Sequence, residues 1–294
     1  MSEPYGPLYA EIWRDSLRMP GHDSLLESLA SEVGGFFGLS SLEAAKRMRD
    51  HWDNRRGWMI GRFPPGQSAE DLKVYYSNEH GIYTGMFWHS LEPDRYALHS
   101  VAGLHLVQQF SEGRRVFEFG HGVGSTGLLF ARHGFQVSLG DISKSYRSFA
   151  EHRFRSRDLT ACFMDLTKES PEPEAYDAVV SFDVLEHIPD PIPEIEKMRA
   201  CLRPGGLMVL NIAFGRDPEN PEHVLSSRLG VLDRIRWMGF ERVATPTLLV
   251  YRKKEIGRLK RTVYRGQDVV DALASDLCGR WSRLGPLLRP YRSV

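Results

Sequence analysis

The stretch VFEFGHGVGSTGLLFARHGFQVSLGD, residues 116–141, decides the fold. An apolar run, RVFEFG, leads into Gly120, Gly122, Gly124 and Gly127, and a second apolar run, QVSLGD, ends on Asp141. The spacing predicts strand, tight glycine turn, helix and strand, with the turn at the carboxyl end of the first strand. In open α/β sheets that end is where ligands bind. Glycine at the turn lets backbone approach a ligand with no Cβ in the way. Asp141 follows Gly122 by 19 residues and suits the two hydroxyls of a ribose. On these residues alone G-x-G-x-x-G permits a dinucleotide such as NAD, or a glycine-rich turn with no ligand.

Downstream the rhythm of short apolar strands and helices continues. SKSYRSFAEHRF reads as helix, TACFMD and YDAVVSFD as strands, PEIEKMRACLRPGG as a helix closed by Pro204, Gly205 and Gly206, and LMVLNI as strand. A helix is expected from about Val224 to Met238. FERVAT and TLLVYRKK then flank Pro246 closely enough that only an antiparallel pair is possible. The expected fold is α/β: a doubly wound, mostly parallel seven-stranded sheet with an antiparallel last strand. A helical N-terminal cap over residues 1–92 precedes the 93–254 core, and a basic helical extension, 255–294, follows it. Within the cap, residues 1–20 read as an irregular lead-in. A helix starts near Asp23 and stops at Gly34-Gly35. Ser40 with Glu43, and Ser68 with Asp71, read as capping boxes of two more. Another helix is expected from about Pro93 to Phe110.

The run EFGHGVGSTG resembles the E/D-x-G-x-G-x-G motif of class I S-adenosylmethionine-dependent methyltransferases. SLGDIS, FMDLT, YDAVVSFDVLEHIPDP and LRPGGLMVLNI are similar to the motifs that follow in that family, in the same order, and DVLEHI points to its small-molecule, ubiquinone-biosynthesis-like members. The resemblance implies S-adenosylmethionine as cofactor. It implies a binding set of Glu118, Gly120, His121, Gly122, Gly124, Ile142 and Leu166, with Asp141 on the ribose hydroxyls, Asp165 near the adenine amino group, and Asp183 near the methionine part. A cationic sulfonium donor suits four acidic strand ends better than an anionic pyrophosphate does, and no hydride-transfer apparatus is visible. The implied activity is methyl transfer to a small-molecule acceptor. The alternatives are RNA or protein methylation, and a methyltransferase-like scaffold without catalysis.

His187, just past the fourth strand, is the candidate general base, against a loop-capping role. NEHGIYTGMFWHS, interrupted by Gly81 and Gly85, reads as a lid ahead of the core. Tyr83 is its candidate donor contact, and His80, Trp88 and His89 are its candidate acceptor contacts; the competing reading is an aromatic seal between cap and sheet. His80, His89, His121 and His187 have no ligand spacing, so no metal is expected. Lys plus Arg and Asp plus Glu both number 38, which gives no global field for nucleic acid. Three scattered cysteines, no basic-apolar leader and no long apolar run point to a reducing cytoplasm without a membrane span. The basic segment 252–265 reads as a solvated face, with an anionic partner as the alternative.

Overall fold

The computed structural model describes residues 7–54, 80–91, 95–214, 223–225, 228–243, 245 and 248–254. The expected helix at 68–76 and the 255–294 extension lie outside these residues.

Four helical segments precede the sheet region: α1 (Pro7–Leu17), α2 (Leu25–Phe37), α3 (Ser41–Asp53) and α4 (His80–Met86), the last continued by a π-helical turn at Phe87–Leu91. Helix α1 corrects the expected irregular lead-in. Its amphipathic pattern buries Trp13 and Leu17, and Trp13 Nε1 donates to the Ser90 carbonyl at 3.0 Å. Helix α2 starts where Ser24 accepts from the Glu27 N–H, and it buries Leu25, Leu29 and Val33, one face at a helical spacing. It runs through Gly34-Gly35 instead of stopping there, and ends at Gly38 in the left-handed region, φ 69°. Gly34 is required for close approach, since a Cβ there would lie 2.7 Å from the Leu39 carbonyl oxygen. At α3 the expected Ser40 cap is present, with Oγ accepting from the Glu43 N–H at 3.2 Å.

Helix α5 (Arg95–Phe110) leads into β1 (Arg115–Phe119), α6 (Ser125–Arg132), β2 (Gln136–Asp141), α7 (Lys144–Arg155), β3 (Cys162–Asp165), β4 (Tyr176–Phe182), α8 (Ile192–Cys201), β5 (Leu202–Asn211), α9 (Arg228–Trp237), β6 (Phe240–Val243) and β7 (Leu249–Lys253). The seven strands lie in the order β3-β2-β1-β4-β5-β7-β6. All pairs from β3 through β5 are parallel, while β7 is antiparallel to both β5 and β6. The expected sheet and its reversed end are therefore present. Strand β5 begins earlier than expected, at Leu202 opposite Tyr176, with a register shift before Ala178 pairs with Leu207. The Pro204-Gly205-Gly206 run thus lies within the strand's irregular start. Helix α9 is described from Arg228, and the expected start at Val224 is not helical; Val224 and Leu225 donate instead to the Glu186 carbonyl.

The central strands are apolar on both faces, as a covered parallel sheet requires. One face, with Val116, Leu139, Val180 and Val209, packs on α5, α6 and the cap. The other, with Phe117, Val179, Met208 and Leu210, packs on α8 and α9. The strand order reverses between β1 and β4, so their carboxyl ends open a crevice.

Candidate active site

At the end of β1 the chain turns through Gly120, Gly122 and Gly124, all in the left-handed region. Their roles differ. A Cβ on Gly120 would lie 2.6 Å from Val184, and one on Gly124 would lie 2.9 Å from Ala150, so these two glycines are demanded by packing. A Cβ on Gly122 would meet nothing within 4 Å, so its face of the turn is open. The turn's own N–H groups are spent internally. Gly120 and His121 donate to the Gly140 carbonyl, Gly124 donates to the His121 carbonyl, and Gly122 donates to Asp141 Oδ2 at 3.0 Å.

Asp141 ends β2 nearly buried, 6% exposed. Its Oδ1 accepts from the Ser143 N–H at 2.7 Å, so the carboxylate bridges the glycine turn and the start of α7. Each carboxylate oxygen can still accept a further hydrogen bond. Ile142 beside it is exposed, an apolar surface at a strand end.

Glu118 lies under the turn, 6% exposed. Its carboxyl faces the Gly127 N–H and the Thr126 hydroxyl at the start of α6. Burial, reinforced by the Asp141 charge, pushes its pKa up to about 8 despite those hydrogen bonds. A dinucleotide's pyrophosphate would sit at that helix N-terminus. Here the protein's own carboxyl occupies it. His121 is also buried; its Nδ1 lies 2.8 Å from the Gly122 carbonyl, and burial lowers its pKa. Glu118 Oε2 and His121 Nε2 are buried without a hydrogen-bond partner among the described residues.

Asp165, at the end of β3, accepts from the Thr167 hydroxyl and N–H on one oxygen and from Arg147 at 2.9 Å on the other. The Thr167 hydroxyl bond is the main reason its pKa lies below the usual carboxylate range. Arg147 also holds the Asp141 carbonyl at 2.9 Å, tying the two acidic strand ends together. Leu166 donates its N–H to the Asp141 carbonyl and packs over Gly140. Asp183, after β4, holds a left-handed φ of 52° and accepts from Asn211 Nδ2 at 3.0 Å. His187 ends a short turn at Leu185–His187, half-buried, its ring 5.0 Å from that of His223.

The N-terminal segments pack directly on this region. Gly81 and Gly85 do not break their segment: both lie in α4, where they let it approach Tyr146 and Val123 closely. Tyr83 points into the cap, stacked between Phe37 and His51 at 4.9 and 4.6 Å. His89 is exposed on the π-helical turn, and the side chains of His80 and Trp88 lie outside what is described. Ser90 Oγ and Ser125 Oγ are 2.7 Å apart, which pins that turn to the start of α6.

A further set has no local sign in the sequence. Glu32 on α2 is buried between Arg153 and Arg157, and Arg153 Nη1 donates to the Val123 carbonyl at 2.8 Å and to Ser125 Oγ at 2.7 Å. The sequence separations, 121 and 125 residues, hide this triad from any local pattern. Of the basic 252–265 segment, the described Arg252, Lys253 and Lys254 are engaged with Gly205 and Phe110, with Leu202 and Glu174, and with Glu241. The remainder lies outside the described residues.

The site fits a nucleoside-bearing cation. Its open glycine face, bridged carboxylate and exposed Ile142 offer a place for a ribose and an adenine, and Glu118 already engages the Gly127 N–H and Thr126 hydroxyl at the helix start that a pyrophosphate would face. Comparison with known sequences agrees on a methyltransferase. A family model described as a methyltransferase domain matches residues 88–260 of the 294. A ubiquinone biosynthesis O-methyltransferase of Alkalilimnicola ehrlichii is 31% identical over 123 residues, covering 40% of this chain and 48% of that protein. One of Vibrio cholerae is 29% identical, covering 40% and 52%. The match thus spans about half the length of these relatives. Among solved structures, phosphoethanolamine N-methyltransferase 2 of Haemonchus contortus, in complex with S-adenosyl-L-methionine, is 20% identical with a TM-score of 0.47, covering 62% of this chain and 47% of that one. The family model covers more than half of the chain, and the chain belongs to the class I S-adenosylmethionine-dependent methyltransferases.

Proposed function

We propose that the protein moves a methyl group from S-adenosylmethionine to a small-molecule acceptor. The observation that carries the reading is Asp141. Its carboxylate is fixed by two backbone N–H groups beside the open face of Gly122, ready to accept from a ribose. Ile142 would take one face of the adenine, and Asp165, held by Arg147 and Thr167, its polar edge. Asp183, fixed by Asn211, would close the methionine side. When bound, the sulfonium supplies an electrophilic methyl that leaves a neutral thioether behind. The residues around it serve mainly to orient the acceptor and exclude water.

The small-molecule acceptor is supported by the cap. Helix α4 and the following turn pack against Val123, Tyr146 and Ser125, which sets the N-terminal helices directly on the glycine turn and the first turns of α6 and α7. A zero formal charge gives RNA no general attraction. The matched relatives are named for O-methylation in ubiquinone biosynthesis, which favours an oxygen acceptor here. A reducing, cytoplasmic setting belongs to the same proposal. Cys162 and Cys201 are free, and no described helix is long and apolar enough to cross a membrane.

Calorimetry tests the donor half: one site for S-adenosylhomocysteine is expected, and no binding overturns the reading. For the acceptor half, a cell extract is incubated with methyl-labelled donor and fractionated. Label in the low-molecular-weight fraction is expected. Label confined to RNA or protein overturns it.

A further inference from the structure

The turn after β4 carries Glu186 and His187, and a separate segment brings His223 to them. That segment is pinned by Val224 and Leu225, whose N–H groups donate to the Glu186 carbonyl at 2.9 and 3.2 Å. One ligand atom from each of Glu186, His187 and His223 lies within 4.8 Å of the other two. Sequence spacing points to no metal here, because the fold alone brings His223 to the pair.

Glu186 supplies the second observation. Its side chain is fully buried. One oxygen, Oε1, accepts from the Ala213 N–H at 3.1 Å, while no donor among the described residues reaches the buried Oε2. The Asp183 carboxyl also stands beside Glu186, together with the backbone of Val184 and of Glu186 itself. A buried carboxylate oxygen without a donor, next to two imidazoles and a half-buried second carboxyl, presents a cation with a ready set of ligand atoms.

We infer that Glu186, His187 and His223 hold a divalent first-row transition ion, with Asp183 beside it. Two nitrogens and a carboxylate suit zinc, iron(II) or manganese. An all-oxygen set would suit magnesium or calcium instead. Ligands on a tetrahedral zinc-type ion, with bonds of about 2.0–2.1 Å, lie about 3.4 Å apart. The three ligand atoms, within 4.8 Å of one another, would have to draw together to that spacing on binding. Three protein ligands leave a coordination position open.

The role of the ion, unlike the site, rests on the proposed methyl transfer. Asp183 borders the methionine side of the donor site, so the open position lies where an acceptor would enter. A hydroxyl oxygen bound there gives its proton to water more readily and attacks the methyl as the alkoxide or phenolate. His187 is then a ligand and not the general base.

The test uses the untagged full chain, stripped with chelator and titrated with Co²⁺. One ion per chain with visible d–d absorption is expected, displaced by Zn²⁺. In His187→Ala and His223→Ala, Co²⁺ affinity should fall at least tenfold with an unchanged far-ultraviolet circular dichroism spectrum. Should a variant misfold, carbethoxylation of the wild-type histidines settles the matter: Co²⁺ should protect His187 and His223. No uptake at micromolar Co²⁺, equal affinity in the double variant, or no protection overturns the site. S-adenosylhomocysteine titrated into the same stripped protein reports on the donor site separately. Its failure to bind would sink the proposed methyl transfer and leave the metal result standing.

Discussion

Arg153 and Glu32 lie 121 positions apart, yet they form a fully buried ion pair, and the same guanidinium holds the carbonyl of Val123 in the glycine turn. Arg153 thereby ties helix α2 to the glycine turn, beside the Ser90–Ser125 contact. Burial lowers the Arg153 pKa to about 10 even with Glu32 opposing the shift, so the guanidinium remains charged near neutrality. Arg157 shares the same carboxylate. Replacing Glu32 with Gln leaves two buried cations without a counter-charge. Breaking a buried pair in this way costs about 3–5 kcal/mol. Glu32→Gln should lower the midpoint of thermal unfolding by roughly 10 °C, and S-adenosylhomocysteine affinity should fall with it as the turn loosens. A loss of stability below about 1 kcal/mol in urea would show that the triad is not the link between cap and core.

Asp141 has two tasks, and a substitution tests both. In Asp141→Asn one oxygen remains to accept a backbone N–H, but the new NH₂ faces the N–H of either Gly122 or Ser143. The turn loses an anchor, and a ribose loses a charge-assisted acceptor worth about 1.5–3 kcal/mol. S-adenosylhomocysteine affinity should fall at least tenfold by calorimetry, with a native circular dichroism spectrum. Unchanged affinity would remove Asp141 from the donor site.

The glycines separate packing from binding. Gly120→Ala places a Cβ 2.6 Å from Val184, whereas Gly122→Ala meets no atom within 4 Å. Both incur the cost of a left-handed non-glycine, roughly 1–2 kcal/mol. Gly120→Ala should therefore be the less stable protein in denaturant. Gly122→Ala should fold and still bind S-adenosylhomocysteine at least tenfold more weakly, because its Cβ enters the open face. Stronger binding by Gly122→Ala than by Gly120→Ala would invert the assignment.

The core was legible in the sequence because its information is local. Apolar runs such as VFEF and AVVSF, with glycine or aspartate at their ends, mark buried parallel strands and the turns beyond them. The short link at Pro246 forced the antiparallel pair. The cap was harder to read. Helix α1 is one short amphipathic segment whose apolar face, with Trp13 and Leu17, shows only once packed, and Gly34-Gly35 reads as a terminator although Gly34 serves a close contact with Leu39. In the site, acidic strand ends such as Asp141 were visible as motif positions, but what they touch was not. The pairing of Glu32 with Arg153, of Arg147 with Asp165, and of His187 with His223 is made by tertiary packing. No spacing rule encodes such pairs.

Glu118 sets how stability responds to pH. Its folded pKa is about 8, against 4.5 for the ordinary group, and burial is the leading cause. The folded state thus binds a proton that the unfolded state has released across this window. A group with a raised folded pKa stabilises fully below the unfolded value, and that contribution is lost as pH rises through the folded value. Between about pH 4.5 and 8 the native protein should lose stability at on the order of 1 kcal/mol per pH unit from this group. Glu118→Gln keeps a neutral isostere that can accept from the Gly127 N–H and the Thr126 hydroxyl. The variant should therefore be near wild-type stability at pH 5 and more stable than wild type at pH 8. Urea unfolding at four or five pH values would show the two curves diverging upward through this window. Parallel curves would mean that Glu118 is ionised in the folded protein. The start of α6 would then hold a carboxylate, a stronger partner for a helix N-terminus than the neutral acid proposed here.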